Sequence, residues 1–479
     1  MTTPSEPSSW SSPLTERYAS KEMARLFSPQ FKFETWRRLW VWLAEEEKRL
    51  GLPIPDEAIS QMRAHVASID FEAAQREEQA TRHDVMAHVR IFGAAAPAAR
   101  GIIHWGATSA YVTDNADLVQ MRDGLTLVEG RLAAVLKRLR DFALEHRALP
   151  ALAYTHFQPA QPTTVGKRAA LWASDLLMDL EEIRRARADL RFLGAKGATG
   201  TQASFLLLFD GDARKVEQLD AALARRAGFA RSQLVSGQTY SRKQDDRVVH
   251  ALSGLAQSAH KMATDLRLLQ HEGEVEEPFE PGQVGSSAMP YKRNPMRAER
   301  ICALARHVIV LSLDTAMTAA TQWLERSLDD SANKRLAVPE AFLGADAILI
   351  LLENVSGGLV VHPEAARRHL ESEAPFLATE NVLMEAVRRG GDRQELHEKL
   401  RVHARASADR RLQDGAPPDL LDRLAGDTAF GMTRSALESA ARPERLVGRA
   451  AEQVEVFIRE ELDPALAHVE SADAAPIHV

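Results

Sequence analysis

A chain of 479 residues exceeds what one hydrophobic core organises, so two or three packed units are expected. The composition is 45% hydrophobic and 27% charged with only 6% aromatic, and abundant Ala, Leu, Arg and Glu lean to helix. A formal net charge of -7 argues against a dedicated nucleic-acid binder, which needs a broad basic surface. A lone cysteine, Cys302, excludes an intramolecular disulfide framework and fits a reducing compartment. The polar opening residues carry no apolar signal core, and the longest strongly apolar run, 347–352, falls far short of the roughly 20 residues of a membrane span. No nucleic-acid or membrane partner is expected, and the cytoplasm is the expected location.

In chain order, the first strong element follows Asp114, where Leu118, Met121, Leu125, Val128, Leu132, Val135, Leu139 and Phe142 alternate steps of three and four until Pro150. Such a helix spans on the order of 50 Å and requires equally long partners. The same alternation returns around Ala169, Trp172, Leu176, Leu180 and Ile183, then from Val248 to Leu269, then at Ile301, Leu304, Val308 and Leu311. Residues 336–355 complete the set, with a kink expected at Pro339. Near-heptad seams favour crossing angles of about 20°, so an all-α chain with an elongated central bundle of five helices is predicted. Breaks at GATSAYVTDN and GGLVVHPEAA divide it into a head (1–108), a bundle (109–361) and a tail (362–479). Stripes left exposed on such a bundle are expected to bury against other subunits.

Several clusters could carry chemistry. RHDVMAH sets His83, Asp84 and His88 beside Arg82; it lacks the HExxH pattern and any thiolate, so anion binding is favoured over a metal. HWGATSAYVTDN places Thr108 and Ser109 at the start of the long helix, where unpaired amides bind anions, with simple capping by Thr113 or Asp114 as the alternative. In THFQPAQPTTVGKR, His156 stands in a proline-rigidified turn before a helix; an imidazole can protonate a leaving amine near neutral pH, although an ordinary packed histidine is the commoner outcome. GATGTQASF matches neither GxGxxG nor a P-loop and reads as a turn between bundle segments. GQTYSRK, with Gln238, suits carboxylate recognition or capping. LERSLDDSANKR brings Arg326, Ser331, Lys334 and Arg335, a phosphate clamp or a solvated helix end. GSSAMPYKRNPMRAE joins a glycine-and-serine turn to the basic tip at Lys292, a loop able to close over a carboxylate.

In that last segment Ser286, Ser287, Met289, Pro290, Lys292, Asn294 and Glu299 resemble the signature of the fumarase/aspartase superfamily. With Tyr291, Arg293, Pro295, Met296, Arg297 and Arg300, the spelling is very similar to that of the animal-type adenylosuccinate lyases. RYASKEM, TGTQASF, PFLATENVLMEAV and LHEKLRVHA resemble the same family, so most of the chain is covered. The resemblance implies an all-α, three-domain fold whose bundles pack into a homotetramer, with active sites shared between three subunits. It implies elimination of fumarate from adenylosuccinate, giving AMP, and from succinylated aminoimidazole carboxamide ribotide (SAICAR), giving AICAR, without cofactor or metal. His156 would then be the general acid, Ser286 the base, and Glu299 an orienting carboxylate. Residue chemistry alone would make a histidine the base, since a serine needs its alkoxide stabilised, as Lys292 and loop amides could do. The resemblance also sets the nucleotide against Arg17, Tyr18, Arg82, His83 and Asp84, and the carboxylates near Thr108, Ser109, Gln238 and Asn294. Phosphate would meet Arg326, Ser331 and Arg335, with Arg300 nearby. A sister lyase and a crystallin-like structural protein are the rival readings; the phosphate-binding clusters oppose the first, and intact His156, Ser286 and Lys292 the second.

Overall fold

The longest helix of the head is α1 (Pro29–Arg49), where Ser28 accepts the Phe31 N–H and Pro29 takes a first-turn position that needs no donor. It lays Trp36, Leu39, Trp40 and Leu43 into the core. After two shorter helices (Asp56–Ala64 and Phe71–Thr81) comes α2 (Asp84–Ala95), capped by the His83 ring, which accepts the Met86 N–H. The structure, a computed structural model, describes residues 9–467 and 469. The first eight residues of the serine-rich start lie outside the described residues.

Five long helices form the centre: α3 (Ser109–Glu145), α4 (Val165–Asp189), α5 (Lys243–His271), α6 (Met296–Thr321) and α7 (Asp330–Gly357). At 1.5 Å per residue they run from roughly 40 to 55 Å, α3 being the longest. The seam residues expected from the sequence are the buried ones, Leu118, Met121, Leu125, Val128, Leu132, Val135 and Leu139 among them. Inside the bundle Arg131 pairs with Asp346 at 2.7 Å, and Asp346 also accepts the Ser20 N–H at 2.6 Å, tying the head to α7. The last helix starts at Asp330, not at Leu336, so Pro339 lies inside it rather than near its start. Helix α6 has a mean hydropathy of 1.4 over its most apolar window, enough by length and composition to cross a membrane, a length the run at 347–352 did not reveal. It packs here against α5 and α7 and leaves Val310, Leu313 and Met317 exposed.

The fold is mostly α, with two small antiparallel sheets added among the described residues. Strands β1 (Pro150–Thr155) and β2 (Gln158–Thr164) form a hairpin between α3 and α4, so the turn expected before α4 is instead a hairpin tip, with Pro159 and Pro162 in its second strand. Strands β3 (Val275–Glu276) and β4 (Val360–Val361) pair where α5 and α7 end. This pairing fixes the direction of the helices. The starts of α3, α5 and α7 lie together at one end of the bundle; the hairpin, the β3–β4 pair and the start of α6 lie at the other, where Tyr154 and Arg168 approach Glu274. One hydrophobic core runs from Leu14 through the bundle and returns at Val454–Leu466, and a second joins Ala378 to Ala441.

Candidate functional site

At the end where α3, α5 and α7 begin, a cleft of about 570 Å³ collects Arg82, His83, Asp84, Thr108, Ser109, Gln238, Arg326, Ser331 and Arg335. Each arrives for a local reason. Arg82 ends a helix in the left-handed conformation at φ 55° and turns the chain into α2. His83 caps α2 and touches the Ser109 hydroxyl at 3.4 Å; Asp84 holds Arg335 at 3.2 Å. His88 does not join them: it is buried, stacked on Phe33 with ring centroids 3.8 Å apart, and burial lowers its pKa to about 4. The two histidines therefore do not share a helix face.

The start of α3 has no side-chain cap. Thr113, one of the capping alternatives, donates to the Ser109 carbonyl, and Asp114 turns inward to accept the Tyr240 N–H at 3.1 Å. The first turn of this 37-residue helix lines the cleft, as does that of α7, whose start has no side-chain cap either. The positive dipole ends of two helices favour an anion there.

Beneath the cleft lies a network of buried charges that no motif announced. Arg242 reaches Asp330 at 2.5 Å and Asp114 at 3.1 Å; Lys334 reaches Asp117 at 2.6 Å and Asp114 at 3.4 Å. Burial pushes the Asp114 carboxyl up, but Arg242 and Lys334 outweigh it and hold it below the ordinary value. Arg326 donates from its Nη1 to both oxygens of Asp330, at 3.1 and 3.2 Å, which anchors the guanidinium in the lining of the cleft. The sequence signals were indirect: Asp114 read as a cap, and Arg242 and Lys334 as members of basic segments.

The serine-bearing loop, residues 278–295, lies at the opposite end of the bundle. Its base is pinned: Glu277, just before it, accepts the Arg297 and Ala298 N–H groups at 3.0 and 2.8 Å, capping α6, and Arg297 donates back to the Pro278 carbonyl at 2.5 Å. Burial raises the Glu277 pKa. Asn294 closes the tip by donating to the Gly285 carbonyl at 2.8 Å. Within it the Ser286 Oγ accepts the Met289 N–H at 3.1 Å and the Ala288 N–H at 3.4 Å. Two amides aimed at one hydroxyl oxygen would stabilise its alkoxide, the condition that a serine base requires. Lys292 and Glu299 are exposed on the loop and on the first turn of α6. Arg300 and Arg17 both stand over the Tyr18 ring, at 5.7 and 6.0 Å, a cationic group separate from the cleft.

His156 and Phe157 are the two tip residues of the hairpin, at φ 54° and 57°. A two-residue loop with both φ positive is the turn that matches strand twist, and it usually takes glycine or asparagine. Spending it on His156 strains the backbone and projects the imidazole into solvent. The chain therefore presents three separate pieces: the cleft, the loop with Arg17, Tyr18 and Arg300, and the hairpin tip.

A long-helix bundle bearing a serine loop and a cationic cleft defines a lyase, and the Lyase family model matches residues 54–310. A fumarate lyase from Mesorhizobium sp. BNC1 has the same fold, with a TM-score of 0.80 and 26% identity over 95% of this chain and 99% of that one. The C-terminal part is more specific: residues 375–457 match the model for the adenylosuccinate lyase C-terminus. The adenylosuccinate lyase of Saccharomyces cerevisiae is 52% identical over 460 residues, 95% of each chain, and that of Schistosoma mansoni is 50% identical over 456 residues, again 95% of each. The chain belongs to the adenylosuccinate lyase family.

Proposed function

We propose that the protein eliminates fumarate from adenylosuccinate to give AMP, and from SAICAR to give AICAR. The Ser286 alkoxide, held by the Ala288 and Met289 amides, takes the proton from the carbon beside the succinyl carboxylate. The electron pair left on carbon forms the fumarate double bond as the C–N bond breaks, and His156 gives its proton to the departing nitrogen. Ser286 ends protonated and His156 neutral, and exchange with solvent resets both. Lys292 and Asn294 steady the doubly charged carboxylate in the transition state. The cleft holds the nucleotide and its phosphate through Arg326, Arg335, Ser331 and the start of α7.

The observation that carries the reading is the pair of amides on the Ser286 Oγ. Direction within the bundle supports shared sites: the cleft and the Ser286 loop are separated by the length of the helices, on the order of 40 Å, so one chain alone is incomplete. A tetramer in which partner bundles run the other way brings a loop from one partner and a hairpin tip from another to each cleft. The exposed Leu171, Met178, Val310, Leu313 and Met317 on α4 and α6 supply apolar surface for that packing. A cytoplasmic location belongs to the same proposal, supported by the single, buried Cys302, and cell fractionation checks it.

Incubation with adenylosuccinate, following fumarate and AMP, tests the activity. Ser286→Ala and His156→Ala should each lower turnover by about 10² or more. Mixing the two inactive variants should restore part of it, because a mixed oligomer contains sites with both groups intact. Mixtures as inactive as their components would refute shared sites.

A further inference from the structure

Lys32 stands in the first turn of α1, on the partition between the cleft and a second cavity of about 300 Å³ walled by Phe27, Phe33 and Met121. Its ammonium lies 5.4 Å from the Phe33 ring centroid and 5.0 Å from that of Trp36. The carboxylates that face it are engaged elsewhere: Asp84 with Arg335 at 3.2 Å, and Asp117 with Lys334 at 2.6 Å. Lys32 has no ion pair among the described residues, and its remaining charged neighbours, Arg335 and Lys334, repel it. Burial lowers its pKa, and Arg335 and Lys334 add to that against the pull of Asp117 and Asp84.

A half-buried cation held beside other cations without an ion pair of its own is unfavourable in the empty protein and favourable once an anion enters. We propose that Lys32 is a further substrate-binding residue, which with Arg335 seats an oxyanion of the substrate at the partition between the two cavities. The chemistry is shared by the phosphate and the succinyl carboxylates, and the test separates them. The proposal rests on the reading of the cleft as a substrate site.

Lys32→Met keeps the stem and removes the charge; Lys32→Arg keeps the charge. In the full-length protein Lys32→Met should raise KM for adenylosuccinate roughly tenfold, the loss of one charge-assisted contact, with kcat nearly unchanged. Lys32→Arg should restore most of the affinity. Removal of an uncompensated charge should leave the melting temperature of Lys32→Met equal or higher, whereas a structural lysine would lower it. Inorganic phosphate and fumarate, used as competing ligands, assign the contact: the one whose inhibition constant rises in Lys32→Met is the group at Lys32. An unchanged KM, or a raised KM with a lowered melting temperature that Lys32→Arg does not correct, would overturn the proposal. Calorimetric binding of AMP and of fumarate keeps the outcome separate from turnover. Weaker binding of either to Lys32→Met sustains the proposal even if no lyase activity is found, and equal binding of both ends it.

Discussion

Gly285 is the point at which a single methyl group should disable the loop. A Cβ placed there would lie 2.2 Å from the Lys292 carbonyl oxygen and 3.2 Å from a ring carbon of Phe279. Carbon and oxygen approach no closer than about 3.3 Å without strain, so one arm of the loop must move by about 1 Å. The obstacle is main chain, and no rotamer change relieves it. Both arms carry chemistry: Ser286 follows Gly285 directly, and Lys292 supplies the obstructing carbonyl, while the Asn294 amide that bonds the Gly285 carbonyl sits two residues beyond. A displacement of this size at a reacting group lowers a rate by about 10², or about 3 kcal/mol of transition-state energy. Gly285→Ala should therefore lose about two decades in kcat for fumarate release at saturating adenylosuccinate. Its melting curve should match the wild type, because the tip lies outside the helical core. A Gly285→Ala protein with wild-type kcat would refute the argument that this close approach sets the catalytic geometry.

Two further substitutions probe the buried charges. Asp330→Asn removes a fully buried carboxylate from Arg242 and Arg326; leaving Arg242 with Asp114 alone should destabilise the fold by about 3 kcal/mol, and the loosened Arg326 should raise KM for the nucleotide. Unaltered denaturation and KM would show that the network neither supports the fold nor aims Arg326. Glu47 is fully buried with neither carboxylate oxygen hydrogen-bonded among the described residues, and burial pushes its pKa to about 9. The folded protein keeps this proton from pH 4.5 to about 9 while the unfolded chain releases it, so the associated stability is full below pH 4.5 and is lost progressively across that window. At pH 7 the loss amounts to about 3 kcal/mol, and Glu47→Gln should melt higher than wild type by a margin that widens from pH 5 to pH 9. A margin that stays constant with pH would contradict a buried, protonated Glu47.

The bundle was legible in the sequence because its signal is periodic and local: apolar residues at steps of three and four define a buried stripe wherever their partners lie. The loop was legible because a long string of unlike residues, SSAMPYKRNP, has few structural reasons to occur together. What escaped were relations between segments distant in sequence. The hairpin at His156 went unread because its tip lacks the glycine or asparagine that marks such turns, and because Pro159 and Pro162 oppose a strand reading. Glu277 caps α6 from twenty residues upstream, and Asp114 joins Arg242 across 128 positions; neither spacing leaves a local pattern. Lys32 gave no signal at all, since a lysine in the first turn of an amphipathic helix usually faces water.

The same topology explains why these distant relations fall where they do. In a bundle whose neighbours alternate in direction, every second helix begins at the same end, and α3, α5 and α7 bring their starts together without help from any special residue. Their positive dipole ends and the neighbouring Arg326 and Arg335 favour an anion at that end. The hairpin and the serine loop join the other ends and must then act elsewhere. A helix of 26 residues spans about 39 Å, so no motion of the Ser286 loop that keeps α6 intact could carry it to its own cleft. Either the loop and the cleft belong to two unrelated functions or a second chain closes the distance. The amides that steady the Ser286 Oγ and the unpaired Lys32 in the cleft suit two parts of one reaction, and they favour the second.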